Sequence, residues 1–88
     1  MNQSVEGVCS QFADRGVQIS VTPLPGYATT LLIEGDKMAF ELLSKLFLAH
    51  ADGSDCGFEV SPRGPGNALF ARGANLGLYL HRLPCTEK

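Results

Sequence analysis

Charge is scarce in this chain. Asp, Glu, Lys and Arg together make up 18% of its 88 residues, and the net charge is −2. The seven basic residues (Arg15, Lys37, Lys45, Arg63, Arg72, Arg82 and Lys88) are scattered. A nucleic-acid-binding surface clusters Lys and Arg on one face, so no nucleic-acid partner is expected. Long apolar runs are missing too. None approaches the roughly 18 residues that would span a bilayer, so no membrane partner is expected. The opening "MNQSVEGVCSQFADRG" has no basic region followed by an apolar core, unlike a secretory leader. Cysteine is sparse: Cys9, Cys56 and Cys85 lie far apart with no C-x-x-C pair. An odd, widely spaced set predicts reduced thiols rather than a disulfide framework or a structural zinc site. Together these features predict a bacterial-type cytoplasmic protein.

What is present is an ordinary globular composition, 44% apolar. Residues 1–88 are read as one domain. A chain this short buries only about 60–65% of the surface its unfolded form exposes, so its core needs reinforcement.

The strongest local signal is "EGDKMAFELLSKLFLAHADG", residues 34–53. Asp36 is an N-cap carboxylate at the positive end of a helix, and Gly53 is a stop. Winding residues 36–52 at about 100° each leaves Lys37, Glu41, Ser44, Lys45 and Asp52 in a polar arc only about 100° wide. Ala39, Phe40, Leu42, Leu43, Leu46, Phe47 and Ala49 fill most of the remaining 220° or so, and Leu48 stands alone in the polar arc.

Strand patterns flank this helix. "VQISV", residues 17–21, alternates Val17, Ile19 and Val21 against Gln18 and Ser20. "TPLPG" interrupts it, and "YATTLLIE", residues 27–34, resumes strand chemistry, predicting a hairpin. Beyond the helix, "GFEVS" (57–61) and "LGLYLHRL" (76–83) also alternate, with turn chemistry at 62–67 and an optional short strand at 67–72. The expected fold is α+β: a two-layer β-β-α-β-β domain with one helix on a four-stranded antiparallel sheet. Val17, Ile19, Val21, Leu31, Ile33, Phe58, Val60, Leu78 and Leu80 are expected to face the helix. Residues 1–16 read as a flexible or covering segment, and 84–88 as a frayed end.

A helix on a sheet buries about half its circumference, less than this one's apolar arc. Either the amino-terminal segment, through Val5, Val8 and Phe12, or a second subunit covers the surplus. A homodimer is the expectation, since association is the commonest way for a small domain to enlarge its core. Phe40, Phe47 and Leu48 on the helix, with Tyr79 and Leu83 on the outer sheet face, are the candidate interface and partner-binding residues.

No catalytic residue is assigned. A nucleophile needs a positioned base and an orienting third group. Cys56 and His81 become neighbours if their strands pair, but no third member accompanies them. Two histidines and scattered carboxylates declare no metal site, and no cofactor is expected. His50 falls in the buried arc of the helix's last turn. It serves either as a base or pH switch in a pocket, or as a bond to the terminal helix carbonyls. "RGPGNALFARG", residues 63–73, lacks the Lys of a phosphate-binding loop. An alternative ligand-binding or minor enzymatic site therefore combines His50 with Arg63 and Arg72.

The hairpin ending in "LLIEGDKMAFELLSKLFLAHADG", the short strand after it and the closing "GANLGLYLHRL" resemble small bacterial immunity proteins of polymorphic toxin systems, in the family numbered thirty-two. The resemblance covers residues 30–83. It departs from the family at "CGFEV", where the strand after the helix lacks histidine, so no functional residue is carried over. It implies a non-catalytic cytoplasmic protein that binds and neutralises a toxin-like partner. Accessory proteins carried on mobile gene cassettes look similar at this level.

Overall fold

The computed structural model describes residues 4–84. Ser4 opens the first helix, α1 (Val5–Ala13), its hydroxyl accepting the Gly7 N–H at 3.0 Å. Val8 and Phe12 lie one turn apart and are both buried. They pack α1 against the second helix, α2 (Lys37–Asp52), and against a single 3-10 turn at Asn67–Leu69. Within the residues expected to be flexible or covering, the described part is thus a folded helix. Its packing outweighs the cost of Gly7 within it.

α2 begins where its cap predicts. Asp36 Oδ1 accepts the Ala39 N–H at 3.0 Å, and Gly53 closes the helix by donating to the His50 carbonyl at 3.3 Å. Ala39, Leu42, Leu43, Leu46, Ala49 and His50 form its buried face, the spacing of a 3.6-residue period.

The expected single four-stranded sheet is corrected: the strands form two separate two-stranded antiparallel sheets. In one, β1 (Ser20–Pro23) pairs with β2 (Leu31–Glu34), setting Val21 opposite Ile33. In the other, β3 (Gly57–Val60) pairs with β4 (Leu78–His81), setting Phe58 opposite Leu80. The α+β class holds. The sheets stay apart because the chain at 69–71 approaches just ahead of β1. Ile19 donates to the Leu69 carbonyl at 3.0 Å and accepts from the Ala71 N–H at 2.9 Å. This parallel bridge occupies backbone groups that a wider sheet would have used.

Leu69 and Phe70 drop into the core beside Val8, Phe12, Ile19, Val21, Leu42 and Leu46. Leu31, expected to face the helix, is instead exposed. Val17, Ile19, Val21 and Val60 are buried as expected, while Ile33, Phe58 and Leu78 are partly buried against the core. Leu80 is half-buried and lies outside this cluster. Among the described residues, no helix is long and apolar enough to cross a membrane.

The expectation of reduced thiols is corrected at one position. Cys56 is disulfide-bonded, whereas Cys9 carries a free thiol. The expectation of a frayed end lies, beyond Pro84, outside the described residues.

Candidate functional site

α2 presents one face that α1, the hairpins and the 69–71 segment leave uncovered. Phe40 and Phe47 are two turns apart, and Leu48 adjoins them at the next step around the helix. Their exposures are 49%, 47% and 66%. α1 therefore covers the inner part of the apolar arc and stops short of this stripe. Lys37 and Glu41 form an ion pair at 3.6 Å near one end of it; such an exposed pair contributes little to stability.

The outer face of the β3–β4 hairpin carries Tyr79, 69% exposed, and Leu83 beyond it, 75% exposed. The Tyr79 ring lies along β3: a Cβ added at Gly57 would fall 2.7 Å from its hydroxyl oxygen. Glycine at 57 is what lets the ring settle there. His81 sits opposite Gly57 in the register, and the Arg82 N–H donates to the Cys56 carbonyl at 2.7 Å. Cys56 and His81 are thus brought to the same end of the hairpin, but the Cys56 sulfur is committed to its disulfide. The free thiol of Cys9 is pushed up from its ordinary pKa by burial and, secondarily, by the Glu6 carboxylate. Both effects favour the neutral, weakly nucleophilic form.

His50 ends the buried face of α2 with 8% of its surface exposed. Its imidazole does not bond the terminal carbonyls; instead its own carbonyl is capped, by the Gly53 N–H and by Arg82 Nη1. The ring meets Phe58 edge to face, with centroids 4.9 Å apart and an interplanar angle of 67°. Its Nε2 is buried without a hydrogen-bond partner, an arrangement that costs about 1–3 kcal/mol. His50 and Phe58 line a cleft of about 240 Å³, with Ser4 and Glu6 from α1 and Asp52 and Asp55 from the end of α2 and the turn after it.

Arg63 and Arg72 are exposed and do not line this cleft, so the structure does not bring them to His50. The acidic lining was missed in the sequence because Ser4 and Glu6 reach α2 only through the folding of α1. Asp52 reads in the sequence as part of the helix's polar arc, and Asp55 belongs to no pattern there. Among the described residues, no group of three or more His, Cys, Asp or Glu side chains is arranged to hold a metal ion.

No family model matches this chain, and no match was found among curated proteins or solved structures.

Proposed function

We propose that the protein is a non-catalytic interaction domain that pairs with a second copy of itself through the outer stripe of α2. The observation that carries the reading is the exposure of Phe40, Phe47 and Leu48 after α1 has packed on the helix. A soluble monomer gains nothing from keeping two phenylalanines and a leucine contiguous in water. An antiparallel two-fold pair of α2 helices sets Phe40 of one copy against Phe47 and Leu48 of the second. It also brings Glu41 beside the other copy's Lys45, so opposite charges flank an apolar seam. Sedimentation equilibrium of the wild type and of Leu48→Glu tests the pairing.

The partner beyond the second copy is a protein, and the immunity-type resemblance gives its form: a toxin-like protein neutralised by occlusion. Tyr79 and Leu83, on the far side of the molecule's second hairpin, are the residues assigned to it. Co-purification with a toxin encoded beside this gene, lost on Tyr79→Ala with Leu83→Ala, is the test. The non-catalytic reading is supported by the two cysteines among the described residues: Cys56 is disulfide-bonded, and burial and Glu6 favour the neutral form of Cys9. A cytoplasmic location requires Cys56 to be reduced there, because cytosolic glutathione and thioredoxin keep thiols open. Alkylation of Cys56 in intact cells places the protein in the cytoplasm; its protection places it in an oxidising compartment.

The cleft supports a second reading, as a small-ligand-binding module. Its specific observation is the concavity of about 240 Å³ beside the edge-to-face pair of His50 and Phe58.

A further inference from the structure

We infer that the Cys56 disulfide closes on Cys85 and works as a redox-operated clasp on the β3–β4 hairpin. The chain has three cysteines, at 9, 56 and 85. Cys56 is disulfide-bonded and Cys9 carries a free thiol, so a bond within one chain leaves Cys85 as the partner. In the sequence Cys85 follows three residues after Arg82, whose N–H donates to the Cys56 carbonyl at 2.7 Å. The bond thus joins the two chain ends of the hairpin close to where their backbones already meet.

This hairpin is the part of the fold that needs a clasp. Its ladder is four residues on each strand, and two-stranded hairpins are marginal in water on their own. Val60 alone among those residues is buried, and it lies at the loop end, opposite Leu78. At the open end, neither Gly57 nor His81 opposite it is buried. That end is tied to α2 by Arg82 Nη1 on the His50 carbonyl and by the edge contact between the Phe58 and His50 rings. A disulfide here limits the conformations the opened hairpin can reach, which disfavours local opening.

Cys56 is also placed for thiol exchange. It is half-buried and follows the exposed Ser54 and Asp55. Exposed disulfides are the ones that exchange with cellular thiols. A thiolate of the glutathione class attacks one sulfur to form a mixed disulfide, and a second such thiolate releases it. The clasp takes up two electrons and two protons to become two cysteine thiols, and the reductant leaves as its own disulfide. Glutathione disulfide drives the reverse.

Tyr79 lies on β4 and Leu83 follows Arg82, so oxidation steadies the surface proposed for a toxin-like partner. That consequence rests on the interaction reading; the clasp does not, and it is tested with no partner present.

The test is amide hydrogen exchange of the whole chain, oxidised and then reduced with dithiothreitol. Peptide mapping of the oxidised protein is expected to recover Cys56 joined to Cys85 of the same chain; a link to Cys9 or between chains overturns the proposal. Reduction is expected to speed exchange at residues 57–60 and 78–82 by about tenfold, leaving Leu42 and Leu46 unchanged, and glutathione disulfide should restore the slow rates. Cys56→Ser is expected to match the reduced wild type with or without dithiothreitol. Hairpin exchange that ignores reduction overturns the clasp. An equal rise at Leu42 and Leu46 also overturns it, since the bond would then brace the whole fold and not the hairpin.

Discussion

Arg82 Nη1 donates to the backbone carbonyl of His50, fastening the residue after β4 to the last turn of α2. The Gly53 N–H reaches the same oxygen. One carbonyl thus holds the helix end, the turn that follows it and the closing strand together. Hydrogen bonds from charged donors contribute about 1.5–3 kcal/mol. Arg82→Ala is expected to lower the unfolding free energy by that amount in urea titrations. Arg82→Lys should restore only part of it, because an ammonium lacks the guanidinium fork.

The amino-terminal helix is part of the core, and Phe12 is its deepest anchor. The residue is 1% exposed, and the Arg15 guanidinium lies 5.0 Å from its ring centroid. Phe12→Ala should cost about 3–5 kcal/mol, a large share of what a domain this small possesses. Thermal unfolding monitored by circular dichroism checks it, with a Tm fall of about 4–8 °C expected for each kcal/mol. A loosely attached amino terminus would show almost no change.

Gly77 is required by close approach. A Cβ there would lie 2.4 Å from the Val60 carbonyl oxygen and 2.7 Å from Ser61 Cα, both backbone atoms that cannot rotate away. Gly77→Ala is expected to destabilise by about 1–3 kcal/mol through forced separation of β3 from the chain leading into β4. Amide exchange should rise first at Glu59 and Val60.

Cys9 gives the pH dependence a definite sign. Burial first, and the Glu6 carboxylate second, hold its thiol above the ordinary value, so the folded state favours the neutral form. Its contribution to stability is complete below the ordinary thiol pKa and is lost as pH rises from there through the raised folded value. Iodoacetamide should therefore alkylate native Cys9 more slowly than an unstructured cysteine peptide between pH 7 and 9. Glu6→Gln should speed the reaction. Equal rates for protein and peptide would contradict the shift.

What could be read from the sequence was whatever rested on local rules. The Asp36 cap, the Gly53 stop and the buried spacing from Ala39 to Ala49 all appear in α2 as its pattern predicts. The Val17, Ile19 and Val21 alternation marks buried positions correctly, although the paired strand begins at Ser20 and runs to Pro23. Pro23 is tolerated because it is the last residue of β1, where the ladder ends. The sheet arrangement was not legible, because alternation states which residues are buried and not which edges pair. Leu69 and Phe70, filling the core from a 3-10 turn and a single bridge, have no periodicity to betray them. The helical spacing of Val5, Val8 and Phe12 was visible but weakened by Gly7. Without α1 in place, the Glu6 wall of the His50 cleft had no signal at all.

The exposed stripe on α2 is the centre of the functional account, and the mass of the protein in solution tests it most directly. Sedimentation equilibrium at micromolar concentration is expected to give twice the 9.4 kDa mass of the chain. Leu48→Glu should return the single-chain mass without loss of helical signal, because Leu48 takes no part in the buried core. A wild-type protein that sediments as a single chain, with a mass and unfolding curve unchanged by Leu48→Glu, would contradict the pairing of α2 helices.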